Sequence, residues 1–272
     1  MPTSQTSTQR PATNRASARD HRQKTFARTI ESNKIATLAC FHWLSLALKD
    51  FAKAPLISLI YGVIFSIVPV AIFYLVANTE NHLIILPATI AFALIGPAFA
   101  TGLYDVAWEL EKGHQPTMKH SLKSMFRNPV GEWGFAILLM ICMIAWTRLA
   151  ALIHALYPNT INPTFEELAF FLGFGTLVGA AMAAVVFTIS AFTPQIMVER
   201  RVDIMTAVVS SAKAVNNNVF AMFAWAIVIL GFVLLGFLTQ GFGFIIIMPL
   251  LSYASWHAYI AVIKTKRERN YE

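Results

Sequence analysis

The stretch "WGFAILLMICMIAWTRLAALIHALYP" runs from Trp133 to Pro158 and carries one formal charge, Arg148. About 20 apolar helical residues cross the ~30 Å hydrocarbon layer of a bilayer, so it reads as a membrane span. Five further stretches read the same way. The spans fall near 55–77, 83–107, 133–157, 168–194, 219–238 and 242–263. Composition agrees: 57% of the 272 residues are apolar, 13% are charged, and the mean hydropathy is +0.59. Soluble domains carry about 25% charged residues.

The basic residues give these spans a direction. Nine Lys/Arg lie between Arg10 and Lys53, and none in the "NTENH" loop at 78–82. Lys112, Lys119, Lys123 and Arg127 occupy the 108–132 segment, whereas "PNTINPTFEE" at 158–167 has none. Arg200, Arg201 and Lys213 lie in 195–218, and Lys264, Lys266, Arg267 and Arg269 close the chain after a neutral "TQG" turn. All of the 21 Lys/Arg except Arg148 therefore sit on alternate segments. Positive loops face the cytoplasm, so both termini are expected there. The net charge of +7 lies outside the spans and suits anionic lipid headgroups rather than nucleic acid. A homo-oligomer or a membrane partner protein remains open.

Residues 1–33, rich in Ser, Thr, Gln and Arg, lack an apolar core and read as a disordered basic tail. No apolar segment follows them as in a secretory signal, although the composition also fits an organellar transit peptide. The membrane domain is then 34–263, and 264–272 is a basic C-terminal tail. Cys40 and Cys142 fall in different segments, too few and too far apart for a disulfide framework or zinc site.

Three segments leading into spans resemble one another: "KDFAKAP" (49–55), "KSMFRNP" (123–129) and "KAVNNNV" (213–219). Each follows a short amphipathic pattern. The apolar arcs are Phe41, Leu44, Leu48 and Phe51, then Met118, Leu122, Met125 and Phe126, then Ile204, Val208, Ala212 and Val215. Lys49, Lys53, Lys119, Lys123 and Arg127 lie beside the first two arcs. Such segments lie flat at an interface or pack under the bundle as caps. The interfacial placement is expected because each leads directly into a span. The fold expected is all-α: six transmembrane helices as three hairpins, each preceded by a cytoplasmic interfacial helix. The second helix of each hairpin holds a proline, Pro97, Pro194 or Pro249, and eight residues beyond the first and last stand Asp105 and His257. These two are expected near one another at a polar mouth.

The blocks "HWLSLALKDFAKAPLISLIYGVIF" (42–65), "GPAFATGLYDVAWELEKG" (96–113), "AWTRLAALIHAL" (145–156) and "PLLSYASWHAYIAVI" (249–263) resemble a group of prokaryotic integral membrane proteins catalogued as a domain of unknown function. Some members carry a cytochrome c oxidase subunit I-like label. The resemblance implies a bacterial inner-membrane protein and no established activity. An oxidase core needs several facing histidines within the membrane. Here only His154 and His257 lie within spans, toward opposite faces. No metal or cofactor is expected, although a haem held by His257 alone stays as an alternative.

Gly175, Gly179 and Ala183 recur every four residues, as in a small-residue face for close helix packing in lipid. No P-loop or nucleophile–base pair is present, so an enzyme is not expected. Arg148 stands about 22 Å along its helix from Trp133 at 1.5 Å per residue, past the midplane. It is expected either to snorkel outward or to pair with Glu166 or Glu167. Charges within the membrane mark transport pathways. The reading is a small-solute or ion transporter or channel-like protein, with a non-catalytic assembly or scaffolding protein as alternative.

Overall fold

A computed structural model describes residues 30–79, 85–155, 157, 164–200 and 202–264. The expectations for the tail before Ile30, Glu80, the 158–163 loop, the Glu167 side chain, Arg201 and the end after Lys264 lie outside the described residues. The described residues form ten helices and no strand. They are α1 (Ala39–Lys53), α2 (Pro55–Thr79), α3 (Ile85–Glu111), α4 (Met118–Ser124), α5 (Pro129–His154), α6 (Phe165–Ser190), α7 (Thr193–Arg200), α8 (Ile204–Asn217), α9 (Val219–Leu238) and α10 (Phe244–Val262).

Five stretches are long and apolar enough to cross a bilayer: Pro55–Asn78, Pro129–His154, Leu168–Arg200, Val219–Leu238 and Phe244–Val262. The remaining expected span, 83–107, overlaps the 27-residue α3 from Ile85 onward. Pro97 and Pro249 lie inside helices, whereas Pro194 stands in the first turn of the separate α7.

The three related segments form short helices α1, α4 and α8, each joined to a long helix through a hinge. Pro55 opens α2 and Pro129 opens α5, where a missing N–H costs nothing and the fixed φ suits a helix. Asn128 caps α5 by accepting the Gly131 N–H at 3.1 Å. Asn218, the third hinge, accepts the N–H of Ile35 at 3.0 Å and donates to the Asn33 carbonyl at 2.9 Å. It thereby ties in the segment before α1. That segment also reaches the end of α10: the Asn33 N–H donates to the Val262 carbonyl at 2.7 Å, and the Lys264 N–H to the Glu31 carbonyl at 3.0 Å. Residues 30–33, at the end of the stretch expected as tail, are thus paired.

Each short helix docks on the second long helix of the preceding unit, and the series closes on itself. Helix α4 lies on α3, where Ser121 Oγ donates to the Gly102 carbonyl at 2.7 Å. Helix α8 lies on α6, where Ser211 Oγ donates to the Thr188 carbonyl at 3.0 Å. Helix α1 closes the ring on α10, where Asp50 meets His257. The buried positions correspond: Ala47, Ser121 and Ser211 stand seven residues before their hinges, and Asp50, Ser124 and Ala214 stand four before.

Phe41, Leu48, Leu122 and Phe126 of the expected arcs are exposed, as is Met205. Small and polar side chains are turned inward instead. Against lipid, burying a bulky apolar chain inside the bundle gains little, and close contact of small residues decides packing. The buried core lies at the end holding the short helices. There Trp43 meets Trp225 edge-on at 5.7 Å, and Trp256 packs with Tyr104, Trp108 and Tyr259. Toward the other end, Ile67, Phe73, Ile141, Ile144, Leu177 and Leu234 are exposed, an apolar surface too extensive for water.

Helices α2 and α10 approach most closely at Gly62, where an added Cβ would stand 1.8 Å from the Ile245 carbonyl oxygen. The expected small-residue face on α6 is looser. A Cβ at Gly175 would meet Ile153 at 3.5 Å, one at Gly179 would meet nothing within 4 Å, and Ala183 is exposed. Gly175 and Gly179 instead line a groove of about 220 Å³ between α5 and α6. Gly62→Ala should therefore lower the melting temperature of the purified protein, at a cost of about 1–3 kcal/mol from overpacking. Gly179→Ala should leave it unchanged in the same thermal melt.

Candidate functional site

Helix α10 carries the first buried acid–base pair. His257 Nε2 lies 2.7 Å from Asp50 Oδ2, and both side chains are buried. A turn earlier, Tyr253 OH is 2.8 Å from Ser58 Oγ. Because Ser58 gives its proton to the Ala54 carbonyl at 2.7 Å, the tyrosine is the donor. The same logic holds for Tyr61 and Ser121, 2.7 Å apart: Ser121 donates to Gly102, so Tyr61 donates to Ser121. These buried polar groups are joined across helices, as a water-poor interior favours.

The second cluster lies between α3 and α4. Asp105, 1% exposed, accepts from the Arg127 guanidinium at 3.0 Å through Oδ1, and its Oδ2 lies 2.7 Å from His120 Nδ1. One turn on, Glu109 accepts from Lys112 at 2.8 Å through Oε1, and its Oε2 is 2.9 Å from His114 Nδ1. The Trp108 ring lies under both cations, with Lys112 Nζ 3.8 Å from its centroid and Arg127 at 5.5 Å. A third contact joins Tyr259 of α10 to Glu199 of α7.

Above these clusters lies a cavity of about 330 Å³. All six long helices line it, through residues such as Phe65, Pro97, Phe135, Ser190, Val233 and Ser252. No charged side chain faces it among the described residues. Tyr104 forms part of its wall and stacks on Trp256 at 6.2 Å, which places the aromatic layer between cavity and clusters.

The expected site residues are distributed unevenly over this geometry. Asp105 and His257 stand on adjoining helices at one level, each following a residue of the Tyr104–Trp256 stack. They bind different partners and not each other. Arg148 is exposed on α5 and makes no hydrogen bond or ion pair among the described residues. Glu166 is exposed in the first turn of α6, so the expected Arg148–Glu166 pairing is not made. The facing side of α5 presents Trp146, Leu149 and Ile153 to α6, and Arg148 lies off that side. Sequence reasoning missed Asp50, His120, Arg127, Glu109 and His114. The available signal for Asp50 was an acid inside a basic repeated segment. Glu109 stands one helical turn after Asp105 on α3, a spacing the sequence does show, whereas His120 and Arg127 are brought to Asp105 only by the turn between α3 and α4.

These features define a multi-helix integral membrane protein. Residues 85–199 match a family model described as "Predicted integral membrane protein (DUF2189)", a domain of unknown function. The match runs from α3 into α7. It includes the second cluster and Arg148, and leaves Asp50 and His257 outside. Comparisons with curated proteins and with solved structures gave no match.

Removing one member of a buried ion pair leaves the other charge stranded. Arg127→Leu should cost about 1–3 kcal/mol, below the fully buried range because Arg127 is partly exposed. Adding Asp105→Leu to that variant should recover part of the loss. Thermal melts of the two single variants and the double variant in lipid nanodiscs check this.

Proposed function

We propose that the chain is a multi-pass protein of a bacterial inner membrane that passes a small solute through the cavity between its six long helices. The observation that carries this reading is the cavity itself, lined from all three units. Its volume is at the small end of ligand sites, which run about 300–1,000 Å³. The lining is apolar with a few serine hydroxyls, which favours an uncharged solute over an ion, since an unpaired charge is costly there. The aromatic layer and the two acid–base clusters below it would form the gate.

The topology that goes with this reading is six spans, α2, α3, α5, α6, α9 and α10, with both termini cytoplasmic. The segregation of basic residues onto alternate segments supports it. In this placement Phe41, Leu48, Leu122, Phe126 and Met205 enter the interface from the outer faces of the short helices. Lys49, Lys53, Lys119, Lys123 and Lys213 meet anionic headgroups. Arg148 then snorkels toward the opposite headgroup layer.

The alternative is an assembly or scaffolding protein, favoured by the exposed groove between α5 and α6. A haem-associated role gains nothing from the geometry, since His257 Nε2 is already held by buried Asp50.

Proteoliposomes swollen against a panel of small uncharged solutes test the reading. The wild type should raise the permeability of at least one solute. Ser252→Trp, which fills the cavity, should return that solute's flux to the bare-lipid rate, while Gly179→Ala keeps it. Absence of flux across the panel, with stable co-purification of a partner complex, would favour the scaffold.

Single-cysteine variants in a background lacking Cys40 and Cys142 test the topology separately. Positions 80, 162 and 240 should react with an impermeant reagent from outside, and 115, 205 and 268 should not. External labelling at 115 would overturn the placement.

A further inference from the structure

The Asp105–Glu109 face of α3 holds more ligand chemistry than an ion-pair network needs. Arg127 and Lys112 already balance the two carboxylates, each through one oxygen. The oxygen left on each carboxylate faces an imidazole: Asp105 Oδ2 faces His120 Nδ1 at 2.7 Å, and Glu109 Oε2 faces His114 Nδ1 at 2.9 Å. We propose that Asp105, Glu109 and His120 form a binding site for a divalent first-row transition ion such as Zn²⁺.

The geometry is close to what such an ion requires. Ligand atoms of Asp105, Glu109 and His120 all lie within 4.8 Å of one another. Around a tetrahedral ion with bonds of about 2.0–2.1 Å, ligand atoms stand roughly 3.3 Å apart. The short Asp105–His120 contact therefore opens and the widest pair contracts, each by no more than about 1.5 Å against that tetrahedral spacing. His120 has room to adjust, because its side chain is 46% exposed on the seven-residue α4. The carboxylates are fixed, since they lie one turn apart on a single face of α3.

The donor set also selects the metal. Two oxygens with one imidazole nitrogen suit Zn²⁺, Co²⁺ or Ni²⁺, whereas Mg²⁺ and Ca²⁺ take oxygen ligands almost throughout. Arg127 and Lys112 then act behind the ligands. Each holds the non-ligating oxygen of a carboxylate and orients it, the arrangement usual around bound metals. Their positive charges also weaken the site relative to one with neutral neighbours. A bound ion would tie α4 to α3, fixing one of the three docking contacts of the ring. This assignment does not rest on the transport reading.

The test uses the full chain, purified in detergent and stripped with a chelator, then titrated with Zn²⁺ and separately with Co²⁺. One ion should bind per chain. Co²⁺ should give the visible ligand-field bands of a nitrogen–oxygen site, and Zn²⁺ should raise the melting temperature. His120→Ala and Glu109→Gln should each weaken binding at least tenfold and abolish the Zn²⁺-dependent shift. His42→Ala and His154→Ala, remote from the cluster, should change neither. His120→Ala replaces a half-exposed side chain, so its metal-free melting temperature shows whether the variant is folded. Equal binding by the wild type and a His114→Ala/His120→Ala double variant would overturn the proposal, leaving the cluster a metal-free ion-pair network. So would binding that is lost with His42 or His154 instead.

Discussion

The docking of each short helix onto the second long helix of the preceding unit is the contact on which the rest depends. It joins each unit to the one before it, and the hinges at Ala54, Asn128 and Asn218 lead from the docked helix into the next long helix. It recurs three times, α4 on α3, α8 on α6 and α1 on α10, and the third contact brings the start of the described chain onto its last helix. Close approach is possible because the positions seven and four residues before each hinge hold Ala, Ser or Asp. The serines spend their hydroxyls on helix carbonyls. The long helices are thereby held at one end, and the cavity lies between them beyond the aromatic layer.

Charge is used unevenly around this ring. The α1–α10 contact carries the buried Asp50–His257 pair, and the α4–α3 contact carries Asp105 with His120 and Arg127. The α8 contact has no such pair among the described residues. There Ser211 accepts the Phe192 N–H at 3.1 Å while donating to Thr188, and Asp203 is spent on capping α8 through the Thr206 N–H at 2.9 Å. That N–H, with the Thr206 hydroxyl, holds the Asp203 carboxyl below its usual range. Its contribution to α8 is therefore present above the ordinary carboxylate pKa and is lost as pH falls through the lowered value. Two contacts in three are polar latches, and the third is a hydrogen-bonded seam.

The long helices were legible in the sequence because run length alone distinguishes an apolar helix of bilayer dimensions. The hinges were legible too, since proline at 55 and 129 cannot be accommodated deep inside a helix without cost. The inward faces were not. Periodicity picks out the bulky apolar stripe, and in α1 and α4 much of that stripe points away from the bundle. Asp105 announced itself as an acid within an apolar segment. Its partners did not, because His120 and Arg127 lie 15 and 22 residues on and belong to another helix or its following turn. Asp50 was hidden between Lys49 and Lys53, where an acid reads as surface. Arg148 was conspicuous, but its environment depends on the rotation of α5 against α6, and a uniformly apolar helix gives no periodic signal for that rotation.

The inward orientation of the small faces is the central claim, and the thermal stability of six matched variants in nanodiscs tests it most directly. Ala47→Leu, Ser124→Leu and Ala214→Leu add bulk to the inward side of α1, α4 and α8. Phe41→Ala, Phe126→Ala and Met205→Ala remove bulk from residues on the outer side. The account predicts that all three inward changes lower the melting temperature by several degrees, while the three outward changes leave it nearly unaltered. Tolerance of leucine at the inward positions, with unfolding on loss of Phe41, Phe126 or Met205, would contradict it.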